Sequence, residues 1–212
     1  MIKNEWNGTC YFSNGTNHSK GVAILMADDL PVGSVKCYTR GDGRIIALQF
    51  VIFEKSYFCV NVYAPAKGSQ KDNFYKALNE WVTKYIKGSD SMLIVGGDFN
   101  CVQDRIVDTC GVSYIYTPKV HFRKFIKDNR LVDVWRKINP EKKQYTWRQV
   151  SLQIYSRLDY WLIDANLMQN VFSSDIRPAL KCDHNAVSLK LKLFGDRRGN
   201  CLWKFNCSLL KI

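Results

Sequence analysis

The sequence predicts an α/β chain of the α+β kind, with two mostly antiparallel or mixed sheets packed face to face and helices outside. Three observations predict it. Short β-branched and aromatic runs recur along the chain, helical periodicity appears only between them, and no regular βαβ alternation runs through the 212 residues. At 46% hydrophobic and 24% charged, the composition is that of a folded globular domain and excludes collagen-like, low-complexity and disordered classes. One domain over residues 1–194 is expected, followed by a polar linker and exit segment over 195–212.

Gly21 to Met26, Val35 to Thr39, Arg44 to Phe53 and Tyr57 to Ala64 are strand-like runs separated by turns such as Gly41-Asp42-Gly43, and together they predict a meander. Ser69 reads as a helix N-cap, and Phe74, Leu78, Trp81, Val82 and Tyr85 follow at helical spacing up to Gly88. Met92-Leu93-Ile94-Val95 is a short apolar strand that delivers Gly96-Gly97-Asp98-Phe99-Asn100 at its C-terminal end. Pro118 opens a basic helix carrying Phe122, Phe125 and Ile126, and Leu131 to Lys137 predicts a further turn or two of helix. Tyr145 to Arg148, Tyr155 to Ile163, Asp175 to Leu180 and Ala186 to Leu193 complete the strands, the last alternating Val187, Leu189, Leu191 and Leu193 with polar residues.

The eight cysteines are spread over the chain with no C-x-x-C pair, so a reducing, intracellular compartment is expected and zinc is not. The start of the chain has no signal-peptide pattern. The longest apolar stretch, Ile45 to Phe53, is far shorter than a membrane span, so no membrane partner is expected.

The net charge of +12 is uneven: from Lys119 to Arg157 there are eleven Lys and Arg against three Asp and Glu. Aromatic rings interleave with these cations, a pattern that suits a polyanion partner through stacking and phosphate neutralisation. Arg123, Lys124, Arg148 and Arg157 are the candidate nucleic-acid contacts.

The candidate chemistry lies at strand ends. Asp98 and Asn100 are two apart after an apolar strand, and Asp183 and His184 are adjacent before another. Asp159 interrupts the apolar run Leu158 to Ile163 and needs a partner there; His184 is the natural one, because a carboxylate on one ring nitrogen fixes the tautomer. Such an oxygen-rich set with one imidazole suits Mg²⁺, or Mn²⁺, and phosphate esters.

In order, Gly21-Val22-Ala23-Ile24-Leu25, Asn61-Val62-Tyr63-Ala64-Pro65, Gly97-Asp98-Phe99-Asn100, Arg157-Leu158-Asp159-Tyr160 and Cys182-Asp183-His184 resemble the motifs of the endonuclease/exonuclease/phosphatase superfamily. Tyr145-Thr146-Trp147-Arg148 and Trp203-Lys204-Phe205-Asn206 make the chain similar to the apurinic-type endonuclease domain of LINE-type non-LTR retrotransposons. The resemblance implies a four-layered α/β sandwich that hydrolyses DNA phosphodiesters with Mg²⁺. It implies that Asp98 positions or deprotonates the attacking water, Asn100 orients it, and His184, held by Asp159, binds phosphate or serves in acid/base chemistry. Tyr63 would hydrogen-bond phosphate, and Asp98, Asn100 and Asp183 would form the metal shell. A reverse transcriptase region in cis and nuclear access belong to the same expectation.

Against that pattern, no Gln-Glu-Thr-like motif carrying the family's metal-ligand Glu precedes Gly21, and Glu5 does not replace it, so the chain is expected to lack the first strands of the fold. Ala66 stands where an Asn commonly follows the Tyr-x-Pro motif, and Cys182 where a Ser is usual. Three readings follow: a metal-dependent DNA endonuclease, an inactive relic that at most binds nucleic acid, and a phosphatase or phospholipase acting on a small phosphoester.

Overall fold

The structure, a computed structural model, describes residues 5–16, 19–66, 68–86, 88–111, 120–179 and 182–193. The chain opens with strands β1 (Gly8–Thr16) and β2 (Ser19–Ala27), then β3 (Lys36–Thr39), β4 (Ile45–Ile52) and β5 (Lys55–Tyr63). Helix α1 (Gly68–Ile86) leads to β6 (Met92–Asp98), followed by the short helix α2 (Arg105–Asp108) and β7 (Thr109–Cys110). Helix α3 (Val120–Asp128), β8 (Leu131–Asp133) and α4 (Val134–Ile138) come next. The last strands are β9 (Trp147–Gln149), β10 (Ile154–Ser156), β11 (Asp159–Asp164), β12 (Val171–Arg177) and β13 (Ala186–Leu191).

A six-stranded mixed sheet in the order β3-β4-β5-β6-β11-β8 forms the middle of the molecule. Its β5–β6 pair is parallel, and the helix α1 supplies the crossover that a parallel pair requires. Both faces of this sheet are covered, so β4 and β5 are apolar on successive residues. Ile45, Ala47, Phe58, Val60 and Val62 face Phe74, Leu78 and Val82 of α1 and Phe122 and Phe125 of α3. Each of the larger side chains among them, the Val, Leu, Ile and Phe residues, contributes about 1.5–3 kcal/mol of transfer free energy. Ile46, Leu48, Phe50, Tyr57 and Cys59 face the opposite way, against Val22, Ile24 and Met26 of β2 and Ile176, Val187 and Leu189 of the β12–β13 hairpin.

Several sheets flanked by helices are present, as expected. Opposite the central sheet lie two antiparallel ribbons, β1–β2 and β12–β13, and no described strand links them. β2 pairs with β1 and not with β3, so the predicted four-strand meander is a three-strand meander, β3-β4-β5. The Leu131 to Lys137 stretch is a strand followed by one short helix. The helix start expected at Pro118 and the exit sequence expected from Trp203 lie outside the described residues.

Tyr155 to Ile163 is not one strand. It breaks at Arg157-Leu158 into β10, paired with β7 and β9, and β11, paired with β6 and β8. The cause is Arg157, which turns inward. Its side chain is 1% exposed, with Nε 2.7 Å from Asp108 and Nη2 2.7 Å from Asp133. The guanidinium also lies 4.4 Å over the Tyr160 ring. The expectation that Arg157 contacts nucleic acid is therefore corrected: a buried cation with two carboxylate partners has no face left for phosphate. Arg157→Met should cost about 3–5 kcal/mol in a guanidine melt, by stranding buried carboxylates. The salt slope of DNA affinity should stay unchanged; an intact melt with a shallower slope would restore Arg157 to the binding surface.

Candidate active site

Three adjacent strands end in one row. In the parallel β5–β6 register Tyr63 pairs with Asp98, and in the antiparallel β6–β11 register Asp98 pairs with Asp159. Residues level with one another in neighbouring strands project to the same face, so all three side chains emerge on the ribbon side of the sheet. The approach of β6 depends on two glycines. A Cβ on Gly97, whose φ is +133°, would stand 2.0 Å from the Val62 carbonyl, and one on Gly96 would stand 2.5 Å from the Trp161 ring.

Beyond Gly97, Asp98 is chelated by the residue two further on. The Asn100 amide donates to Asp98 Oδ1 at 2.7 Å, and Asn100 Nδ2 donates both to Asp98 Oδ2 at 2.9 Å and to the Ala64 carbonyl at 2.9 Å. This turn puts Asn100 at φ +47°, a conformation Asn tolerates better than most residues. Burial, and next the charge of Asp159, push the Asp98 carboxyl up to about 7, against the lowering pull of His184, Asn100 and Lys71.

His184 lies across from Asp159, with Nδ1 2.9 Å from Asp159 Oδ2. Backbone pairing fixes it there. His184 bridges Trp147, the Asn185 amide donates to the Thr146 carbonyl at 2.6 Å, and Thr146 Oγ1 accepts from the amides of Leu158 and Asp159 at 2.8 and 3.0 Å. Burial disfavours the imidazolium, but the hydrogen bond and charge of Asp159 outweigh it, and the ring is pushed up to about 9. It is a cation at neutral pH.

Tyr63, Asp98, Asn100, Asp159 and His184 are therefore brought to one place, as the motifs suggested. Asp183 is beside them but exposed, and its Oδ2 accepts from Trp147 Nε1 at 3.2 Å. Arg148 is exposed next to Trp147, and its amide donates to the Asp183 carbonyl at 3.0 Å. Arg123 and Lys124 are exposed on α3, where Lys124 pairs with Asp128 at 2.9 Å. Two residues at the site escaped the motif reading. Arg44 lies 5.3 Å over the Tyr63 ring and donates to the Tyr63 carbonyl at 3.0 Å, and its signal was only a cation at the start of a strand. Lys71 is the other, on the buried face of α1.

The donor chemistry fits a hard cation of the Mg²⁺ kind, which keeps several waters and is held by one or two carboxylates together with substrate phosphate. It does not make a closed cage: among the described residues no three His, Cys, Asp or Glu side chains converge to hold an ion.

The fold is shared with solved DNA-processing enzymes. The 3'-5' exonuclease NExo from Neisseria meningitidis superposes with a TM-score of 0.69 at 19% identity, over 86% of this chain and 79% of that one. A Neisseria 3' phosphatase NExo structure bound to a product DNA hairpin gives 0.68 at 19% identity over the same shares. The AP endonuclease LMAP from Leishmania major gives 0.58 at 18% identity, over 70% of this chain and 54% of that one. No protein-family model matches the sequence. In sequence, the chain is 33% identical over 209 residues to a Xenopus laevis protein described as "Transposon TX1 uncharacterized 149 kDa protein". That alignment spans 98% of this chain and 16% of the relative.

The chain shares the fold of these enzymes, and its sequence is similar to a stretch of that transposon protein.

The Asp159–His184 pair makes a direct prediction. The chain has three histidines, so ring signals can be assigned by substitution. Asp159→Asn should move the His184 midpoint from about 9 down toward the ordinary 6.5 in an NMR titration. Because the folded value is the raised one, the stability this pair contributes is complete below about 6.5 and lost as pH climbs toward 9. A midpoint that does not move in Asp159→Asn would dissolve the pair.

Proposed function

We propose that the domain hydrolyses DNA phosphodiester bonds as an endonuclease. The observation that carries this reading is the row Tyr63, Asp98, Asp159 across three strands, closed by His184 on Asp159. It sets a carboxylate near its neutral-pH midpoint beside a standing cation, which suits attack of water on a phosphate.

In this mechanism Asn100 keeps the Asp98 carboxylate aimed out of its turn, and Asp98 takes a proton from the attacking water. The water oxygen bonds to phosphorus as the bond to the leaving oxygen breaks on the opposite side. His184, oriented through Nδ1 by Asp159, presents Nε2 to the phosphate, neutralises developing charge and gives its proton to the leaving oxygen. Tyr63 steadies a nonbridging oxygen, and Arg44 holds Tyr63 in place from its ring face. Mg²⁺, when bound, would be held by Asp98 and the Asn100 side-chain oxygen and would neutralise charge on the phosphate.

The kinship with a transposon protein supports target-site nicking as the biological setting, with a reverse transcriptase region in cis and nuclear access. A second reading, nucleic-acid binding without hydrolysis, is favoured by Ala66 and Cys182, which stand where the family's motifs usually carry Asn and Ser.

Plasmid nicking in Mg²⁺, Mn²⁺ and EDTA tests the two. The endonuclease reading expects nicking abolished by EDTA and lowered at least about 10²-fold by Asp98→Ala and by His184→Ala at equal folding. Wild type and variants equally inert, but bound to DNA in a salt-dependent way, would replace it with the second reading.

A further inference from the structure

The turn that carries Asp98 and Asn100 is held from beneath by side chains that touch no substrate. Three successive carbonyls, of Phe99, Asn100 and Cys101, point into the core, where each must find a donor. Tyr75 Oη donates to Phe99 O, Lys71 Nζ donates to Asn100 O at 2.5 Å, and Tyr160 Oη donates to Cys101 O at 2.7 Å. Lys71 and Tyr75 are four apart on α1, hence stacked on one face of the helix. Both are 0% exposed.

We infer that Lys71 is the positioning residue of the catalytic turn, with Tyr75 and Tyr160 completing a clamp on three consecutive carbonyls. The inference rests on the endonuclease reading for its effect on rate, though not for its effect on structure.

The argument is one of cost and geometry. A fully buried ammonium is expensive, and a methionine of similar length would fill the same apolar space at less cost. What lysine adds is a charged donor aimed at the Asn100 carbonyl. Asn100 is the residue at φ +47°, whose amide and side chain together hold Asp98. Without an inward donor the Asn100–Cys101 peptide is free to rotate about ψ of Asn100, which loosens the turn and with it the two hydrogen bonds from Asn100 to the Asp98 carboxylate and the one from Asn100 to the Ala64 carbonyl. The cation thus acts on Asp98 through Asn100, whose carbonyl it holds and whose amide and side chain hold the carboxylate.

The test uses the whole chain with Lys71→Met, Lys71→Arg and Tyr75→Phe. Lys71→Met is expected to speed hydrogen exchange at the Asn100 amide at least about 10-fold while the β6 amide of Val95 keeps its protection, a local and not a global opening. With nicking-competent wild type, kcat should fall about 10²-fold with DNA affinity unchanged, since a small misplacement of a catalytic group costs that much. Lys71→Arg, which keeps a cationic donor, should recover part of kcat. If Lys71→Met does not fold, Tyr75→Phe is read in its place, with a smaller effect in the same direction.

Unchanged exchange at Asn100 in a folded variant would overturn the clamp, as would kcat and DNA affinity falling together with the melting midpoint. If wild type itself does not nick, the endonuclease reading fails alone, and the exchange at Asn100 still decides whether the clamp exists.

Discussion

Everything at the site depends on how closely β6 is allowed to pass between its neighbours. At Gly97 the backbone of β6 meets the Val62 carbonyl of β5 with no room for a side chain, and at Gly96 the indole of Trp161 lies flat against the strand. These two contacts set the last residues of the strand at one level with Tyr63 on one side and Asp159 on the other. Larger residues there would push the strands apart and put two carboxylates and a tyrosine out of register. The electrostatics follow from the spacing. Burial first, and then the nearness of Asp159, raise the Asp98 carboxyl toward neutrality, and the hydrogen bond and charge of Asp159 hold the His184 midpoint up.

Much of this was legible in the sequence, for identifiable reasons. The central strands are apolar on both faces, and continuous runs such as Met92 to Val95 announce themselves. The stripe Phe74, Leu78, Val82 marked α1 because a helix covering a sheet must bury residues at that spacing. The site residues stood out as polar groups at the ends of such runs. β1 was missed because its burial is mixed: only Ser13 is fully buried, and Tyr11 and Phe12 are half-covered, so neither alternation nor an apolar run appears. The β4–β5 turn was marked only by the break between two apolar runs, since Phe53 and Glu54 both take positive φ without the Asn or Gly that usually signals it.

Arg157 and Lys71 were illegible for a deeper reason. A cation in a sequence reads as a surface residue, because burying it is costly unless partners are present. Asp108 and Asp133 lie 49 and 24 residues from Arg157, and Asn100 lies 29 residues from Lys71. No local pattern records such partners. Part of the basic surplus between Lys119 and Arg157 is therefore internal charge, and Arg136, which also pairs with Asp108, belongs to it.

The two populations of cations differ in how they meet dissolved salt. Exposed lysines and arginines feel an ionic atmosphere that mutes their field within about 10 Å at 0.1 M salt. The Arg157 guanidinium, enclosed by Asp108, Asp133, Trp135 and Tyr160, has no such atmosphere around it. Brine strong enough to screen the cations on the outside of the molecule thus leaves its internal ion pairs at nearly full strength. The architecture separates the charge that salt screens from the charge that keeps the chain folded.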